Sequence, residues 1–396
     1  MATTTKTPTT NGRTGSNPIK ALCDLGQSVW LDDISRTMLT SGALERQIRE
    51  IGIRGVTSNP TIFEKAIAAG DAYDDAVMDL LRQGKHAGEI FEAVEVEDIR
   101  NACDLFRPVY DETDGGDGFV SIEVAPTFAR DGEGSLTEAR RLWASVDRPN
   151  LMVKIPGTAE GVPAIRQALI DGININITLL FSLDNYERVA HAYVAALNAR
   201  HAAGQPVGRI ASVASFFVSR VDTLVDKLLE EKITSAETAA ERERLQGLLG
   251  KVAIANAKLA YASFQEIFEG PRFAELRRAG AKVQRPLWAS TGVKNPAYRD
   301  TLYVEELIGP HTVNTMPNAT IQAFMDRGSV EMTVTEGLDE ARRTMHTLAE
   351  VGIDLAAVTA QLEDEGIASF SKSFETLLAG VESKRESLAR TAGVSA

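Results

Sequence analysis

Ile173-Asn-Ile-Asn-Ile-Thr-Leu179 alternates apolar and polar residues without a break. Successive side chains of a strand face opposite sides, so Ile173, Ile175, Ile177 and Leu179 share one face while Asn174, Asn176 and Thr178 share the other. Three other runs read the same way. In Phe119-Val-Ser-Ile-Glu-Val124, Val120, Ile122 and Val124 oppose Ser121 and Glu123. In Leu151-Met-Val-Lys-Ile155, Leu151, Val153 and Ile155 leave Lys154 beside Met152. In Ser28-Val-Trp-Leu-Asp32, Val29 and Leu31 oppose Trp30 and Asp32. An antiparallel sheet with one wet face also alternates. A wet face, however, carries mixed and mobile charges, whereas each run here sets one polar group amid apolar neighbours, near its C-terminal end.

Working outward, strand-like runs at 28–32, 53–59, 118–125, 151–156, 173–180, 210–217, 286–291 and 312–316 alternate with longer helical patterns. Repeated strand–helix units argue for a parallel sheet. Eight of them fit a closed (β/α)8 barrel, an α/β fold whose inward residues near the strand C-termini build the active site. The spacing predicts a helix over 183–199, with Tyr186, Val189, Ala190, Tyr193 and Leu197 on one face, Ser182 as its cap and Asp184 in its first turn. Helical insertions are expected at 60–112 and 218–270, and Glu230–Arg244 in the second reads as a solvated face. Residues 332–394 read as further amphipathic helices after the last strand. Asp114-Gly-Gly-Asp-Gly118 reads as a tight turn into a strand. The whole of 21–394 is expected to be one domain.

The N-terminal residues 1–20 are rich in Thr, Gly and Pro, carry three cations and no acid, and are expected to be a disordered tail. They lack the apolar stretch of a secretory signal. No apolar run approaches the ~18 residues of a membrane span. The formal charge of −13 disfavours nonspecific nucleic-acid binding, but a local basic cleft can still receive a small anion. Two cysteines, Cys23 and Cys103, suggest no disulfide framework, so a reducing, cytoplasmic setting is expected. The five histidines are scattered, which gives a zinc site little support. A homo-oligomer is compatible with this charge pattern but not specified by it.

Lys154 is the sharpest residue. Lysine is almost never fully buried unless paired. It reads either as one half of a structural ion pair or as an amine whose proton affinity is lowered by apolar walls, able to attack a ketone and form a Schiff base. Asp32 and Glu123, inward on neighbouring strands, read either as charge balance for that lysine or as acid–base groups at a reacting centre. Asp33 should face the helices or cap the following turn.

In order along the chain, Trp30-Leu-Asp-Asp33, Gly55-Val-Thr-Ser-Asn-Pro60, Val120-Ser-Ile-Glu-Val124, Leu151-Met-Val-Lys-Ile-Pro-Gly157, Asn174-Ile-Asn-Ile-Thr-Leu-Leu-Phe-Ser182 and Ser215-Phe-Phe-Val-Ser-Arg220 resemble the successive signatures of transaldolases, most of all the longer bacterial type. The resemblance spans about residues 22–380. It implies a class I aldolase barrel of the pentose phosphate pathway, with Lys154 as the Schiff-base lysine and no cofactor. Its substrates would be sugar phosphates: a dihydroxyacetone unit would pass from sedoheptulose 7-phosphate to glyceraldehyde 3-phosphate. It implies Asp32 as the base at the donor's C4 hydroxyl, and Glu123 and Thr178 around a catalytic water. Asn59, Asn176 and Ser215 match positions that bind the dihydroxyacetone moiety, and Phe217 an aromatic wall. Arg220 matches a phosphate arginine. Lys294, with Ser290 nearby, stands where the family has a second arginine. Two rival readings remain. One is a lyase releasing free dihydroxyacetone, like fructose-6-phosphate aldolase, whose members usually carry glutamine and tyrosine where this chain has Glu123 and Phe217. The other is a barrel that binds sugar phosphates without turning them over.

Overall fold

A computed structural model describes residues 17–68 and 70–392. Eight parallel strands close into a barrel in chain order: β1 (Gln27–Leu31), β2 (Gly55–Val56), β3 (Phe119–Glu123), β4 (Leu151–Pro156), β5 (Ile175–Leu180), β6 (Ser212–Phe217), β7 (Arg285–Ala289) and β8 (Thr312–Met316). The ring shuts where β1 pairs with β8, from Gln27 opposite Thr312 to Leu31 opposite Met316. This is the (β/α)8 fold expected from the alternation.

The expected strands are trimmed for local reasons. β2 is the largest departure, two residues instead of seven. Upstream, the π-helical turn Gln47–Ile51 takes the Ile53 N–H onto the Gln47 carbonyl. Downstream, Asn59 turns away to accept the Ile62 N–H and start the helix Pro60–Ala68. Gly55 is required where β2 passes Trp30: a Cβ there would sit 2.7 Å from the Phe119 carbonyl and 2.8 Å from the indole. β7 stops at Ala289 because Ser290 takes a left-handed backbone, φ 56°. β5 carries a register shift between Ile177 and Leu180, and Leu179 within it has φ 60°.

The lower end of the barrel is plugged by a polar cluster. Trp30 Nε1 donates to Asp117 at 2.9 Å, Arg285 donates to Ser28 at 2.7 Å, and Ser28 donates to Asp117. Asp117 comes from the turn Asp114–Gly118. That turn does lead into a strand, as expected, but it also supplies the carboxylate that neutralises Arg285 inside the barrel.

The helices bury one face each. Leu183–Ala202 packs Tyr186, Val189, Ala190, Tyr193 and Leu197 inward, and the Ser182 hydroxyl accepts the Asn185 N–H at 3.1 Å. The 60–112 stretch is three helices, Pro60–Ala68, Asp74–Arg82 and Ala87–Glu112. The 218–270 stretch is also three, Ser219–Ser235, Ala239–Gln246 and Val252–Glu269, broken after Ser235 and Gln246. After β8 come Asn318–Arg327, Leu338–Glu350 and the long Leu355–Ala392. The chain is ordered earlier than the composition of 1–20 suggests: Asn17 accepts the N–H groups of Ile19 and Lys20 and starts the helix Pro18–Asp24. Residues 1–16 lie outside the described residues. None of the described helices is long and apolar enough to cross a membrane.

Candidate active site

The register of the sheet places the first three functional side chains. Glu123 on β3 is opposite Lys154 on β4, and Lys154 is opposite Asn176 on β5. Residues paired across parallel strands share a face, so all three point inward at one level. Lys154 Nζ donates to Glu123 Oε2 at 3.0 Å and to the Ser58 carbonyl at 2.9 Å, with both ionic side chains more than nine-tenths buried. An ammonium has three donors, and two are spent here. Burial pushes the Glu123 carboxyl above its ordinary value, and the charge of Lys154 opposes that rise. Lys154 and Glu123 therefore meet in one dry environment.

Asp32 follows β1 and accepts from Thr57 Oγ1 at 2.8 Å, while Thr57 also meets Thr315 at 2.7 Å. Burial raises the Asp32 pKa as well. The Thr57 hydrogen bond, then Lys154, Arg220 and Lys294, pull it back. Asp33 points the other way and accepts from Asn318 Nδ2 at 2.9 Å, the outward structural role expected of it.

Lys154 and Asp32 border one cavity of about 340 Å3 at the C-terminal end of the barrel. Asn59, Thr178, Ser215, Phe217, Arg220, Ser290 and Lys294 also line it. Thr178 Oγ1 is buried with no hydrogen-bond partner among the described residues, so a hydroxyl faces the cavity unspent. Asn176 does not reach the cavity wall. It is fully buried, donates to Ser121 at 3.0 Å and accepts from Ser215 at 2.7 Å, and so fixes the Ser215 hydroxyl that does line it. Glu123 also stands back from the wall and meets the cavity only through Lys154.

A family model described as Transaldolase/Fructose-6-phosphate aldolase matches residues 29–381, every strand but the start of β1. The chain belongs to that family. It is 52% identical over 363 residues to a transaldolase of Thermobifida fusca, covering 91% of this chain and 96% of the relative. It is 46% identical to a transaldolase of Trichodesmium erythraeum over 94% of this chain and 99% of the relative. With a transaldolase of Mycolicibacterium smegmatis the identity is 48%, over 91% and 96%.

In this family member the cavity wall also carries cations. Arg220 opens the helix Ser219–Ser235, and its guanidinium lies 5.2 Å from the Phe217 ring centre and 5.9 Å from that of Phe370. Burial lowers its pKa, an effect opposed by Asp32 and Glu365. Lys294 and Lys65 border the same space. Neither lysine nor Arg220 is ion-paired with a carboxylate among the described residues, so three cations face a cavity whose one lining carboxylate among those residues is that of Asp32. The left-handed Ser290 folds the chain back so that its carbonyl accepts the Ser219 N–H at 3.0 Å and its hydroxyl meets Ser219 Oγ at 2.9 Å. That contact ties the loop bearing Lys294 to the start of the helix bearing Arg220.

Among the lining residues that the sequence reading did not single out are Thr57, Thr315, Lys65 and Phe370. Thr57 and Thr315 are small hydroxyls with no pattern to mark them. Lys65 sits on a helix surface, where lysines are common. Phe370 arrives from the C-terminal helix Leu355–Ala392 and roofs the cavity, 5.9 Å from Lys154 Nζ.

Proposed function

We propose that this chain is a transaldolase that moves a dihydroxyacetone unit from a ketose phosphate to an aldose phosphate through a Lys154 Schiff base. The observation that carries this reading is the setting of Lys154. A buried amine hydrogen-bonded to Glu123 opens into a cavity that also holds the carboxyl of Asp32 and three cations. A phosphate held at Arg220, Lys294 and Lys65 would leave the carbonyl end of a sugar phosphate at Lys154.

In this mechanism Lys154 passes a proton to Glu123 and its free amine adds to the C2 carbonyl of the donor. Loss of water leaves an iminium. Asp32, as carboxylate, takes the C4 hydroxyl proton. The C3–C4 bond breaks, its electrons move into the iminium to give an enamine, and an aldose phosphate leaves. The enamine then attacks the aldehyde of the acceptor, Asp32 returns the proton, and hydrolysis frees the new ketose. Asn59 and Ser215 would hold the three-carbon unit, with Asn176 orienting Ser215, and Phe217 would wall the imine. Preorganised groups of this kind stabilise the charge as it moves. Sedoheptulose 7-phosphate with glyceraldehyde 3-phosphate, giving erythrose 4-phosphate and fructose 6-phosphate, is the pair we assign. Two free cysteines and sugar-phosphate substrates suit a cytoplasmic setting.

Borohydride reduction with fructose 6-phosphate, followed by peptide mapping, tests the assignment. A stable three-carbon or sugar adduct is expected on Lys154. An adduct on another lysine, or none under conditions of turnover, overturns it. The family description also covers lyases, and assaying free dihydroxyacetone with and without an acceptor aldehyde separates the two: a transferase releases little in either case.

A further inference from the structure

Glu123 borders a second, smaller cavity of about 70 Å3 on the flank of the barrel. It lies between the helices Ala87–Glu112 and Gly132–Val146, and its buried polar groups are Glu95 and Glu123. Glu95 is only 7% exposed, and its carboxyl makes no hydrogen bond or ion pair among the described residues. A buried carboxyl without a protein partner is costly unless something in the cavity serves it. Its walls are largely apolar, but Glu95, Glu123 and the rim residues Glu92, Glu138 and Arg141 give it polar groups, and it is large enough for more than one water. At its outer rim Arg141 bridges Glu92 and Glu138, and the Arg141 side chain is 43% exposed, so the cavity reaches solvent there.

The proposed chemistry needs such a place. Imine formation expels one water and hydrolysis consumes one, while the sugar fills the main cavity under Phe370. We propose that the cavity shared by Glu95 and Glu123 is the water pocket of the Schiff-base cycle, with Glu95 positioning the water that Glu123 delivers to and receives from C2. This inference rests on the Schiff-base reading given above.

The step balances without any added acid. The Lys154 ammonium gives a proton to the Glu123 carboxylate, and the amine nitrogen forms the C–N bond to C2. A proton shift from nitrogen to oxygen gives the carbinolamine. Glu123 then returns its proton to the C2 hydroxyl, the C2–O bond breaks, and the nitrogen lone pair closes the C=N bond. The products are an iminium, one water and the Glu123 carboxylate. The water moves into the flank pocket, where Glu95 donates a hydrogen bond to it, and hydrolysis runs the sequence backwards. Burial, then the charges of Glu123, Glu92, Glu138 and Asp98, raise the Glu95 carboxyl above the usual carboxylate range, which favours the protonated form that can donate to the water.

The test follows C2 oxygen exchange of fructose 6-phosphate in 18O-water without acceptor, after subtraction of the enzyme-free rate. Glu95→Gln keeps a neutral donor and should exchange close to the wild-type rate. Glu95→Leu should slow exchange by at least about tenfold. Leu142→Phe, which narrows the pocket without touching either glutamate, should slow it too and serves if Glu95→Leu does not fold. Wild-type exchange in the folded Leu or Phe variant overturns the water pocket, as does a Gln variant as slow as Leu. An absence of exchange by the wild-type chain would instead overturn the Schiff-base reading itself.

Discussion

Glu123 Oε2 and Lys154 Nζ, 3.0 Å apart, belong to register partners on adjacent strands, so the backbone itself holds acid against amine. Neither side chain can swing away without leaving a buried charge unpaired, which typically costs about 3–5 kcal/mol. Glu123→Gln keeps the shape and removes the proton acceptor. Schiff-base formation should slow by about 100-fold or more. The rate of borohydride-trapped adduct formation on Lys154 measures this, and an unchanged rate would make Glu123 a purely structural partner.

Asp32 must be ionised to accept the C4 hydroxyl proton, and burial raises its pKa. Protonating it removes the base, so activity is lost as pH falls through the folded-state value. The acid limb of kcat/KM should therefore lie above the ~3.9 of a free aspartate. Thr57 donates to Asp32 and holds its pKa down, so Thr57→Val should move that limb to still higher pH. A limb that stays in place in the Val variant would separate Asp32 from the titration. Asp32→Asn should slow carbon–carbon cleavage by about 100-fold or more while the Lys154 adduct still forms.

Much of this site was legible because barrel chemistry follows a period of two. The alternation in β3, β4 and β5 located Glu123, Lys154 and Thr178, and register then set Glu123 opposite Lys154, with Thr178 one inward position beyond Asn176. The missing pieces are those that register does not carry. Asn176 follows the same alternation as Thr178, yet its two hydrogen bonds to Ser121 and Ser215 draw it beneath the wall. Asp117 looked like part of a turn, and only the closed ring shows that the turn reaches Arg285 and Trp30. Phe370 lies more than two hundred residues after Lys154, and its place over the amine depends on how the last helix crosses the mouth. The short β2 reflects competition between strand pairing and the Asn59 cap, which a propensity reading cannot weigh.

Arg220 and Lys294 should matter for the phosphate and not for the carbonyl chemistry. Arg220→Ala is expected to raise the KM for fructose 6-phosphate by about tenfold or more, the scale of losing a charge-assisted contact of ~1.5–3 kcal/mol. Lys294→Ala should act in the same direction with a smaller effect, since a lysine binds as a point charge. The discriminating measurement is the ratio of activity on fructose 6-phosphate to that on fructose, which should fall in both variants. A parallel loss on both sugars would place these cations in folding instead.

Gly366 sits inside the C-terminal helix Leu355–Ala392, one turn before Phe370, and a Cβ there would lie 2.9 Å from Leu179 Cδ2. Leu179 is buried, so its side-chain tip has little free space to move into. Two effects of Gly366→Ala compete. Alanine favours a helix interior by about 1 kcal/mol over glycine. The clash costs about 1–3 kcal/mol if the helix stays in place. The cheaper outcome is a helix that lifts slightly from the barrel mouth, taking Phe370 with it. Stability should then change little, while transfer slows and more dihydroxyacetone escapes per turnover as water reaches the enamine. Thermal unfolding beside an assay of free dihydroxyacetone resolves the two: a folded Ala variant with wild-type transfer and no added leakage would show that this helix does not seal the site.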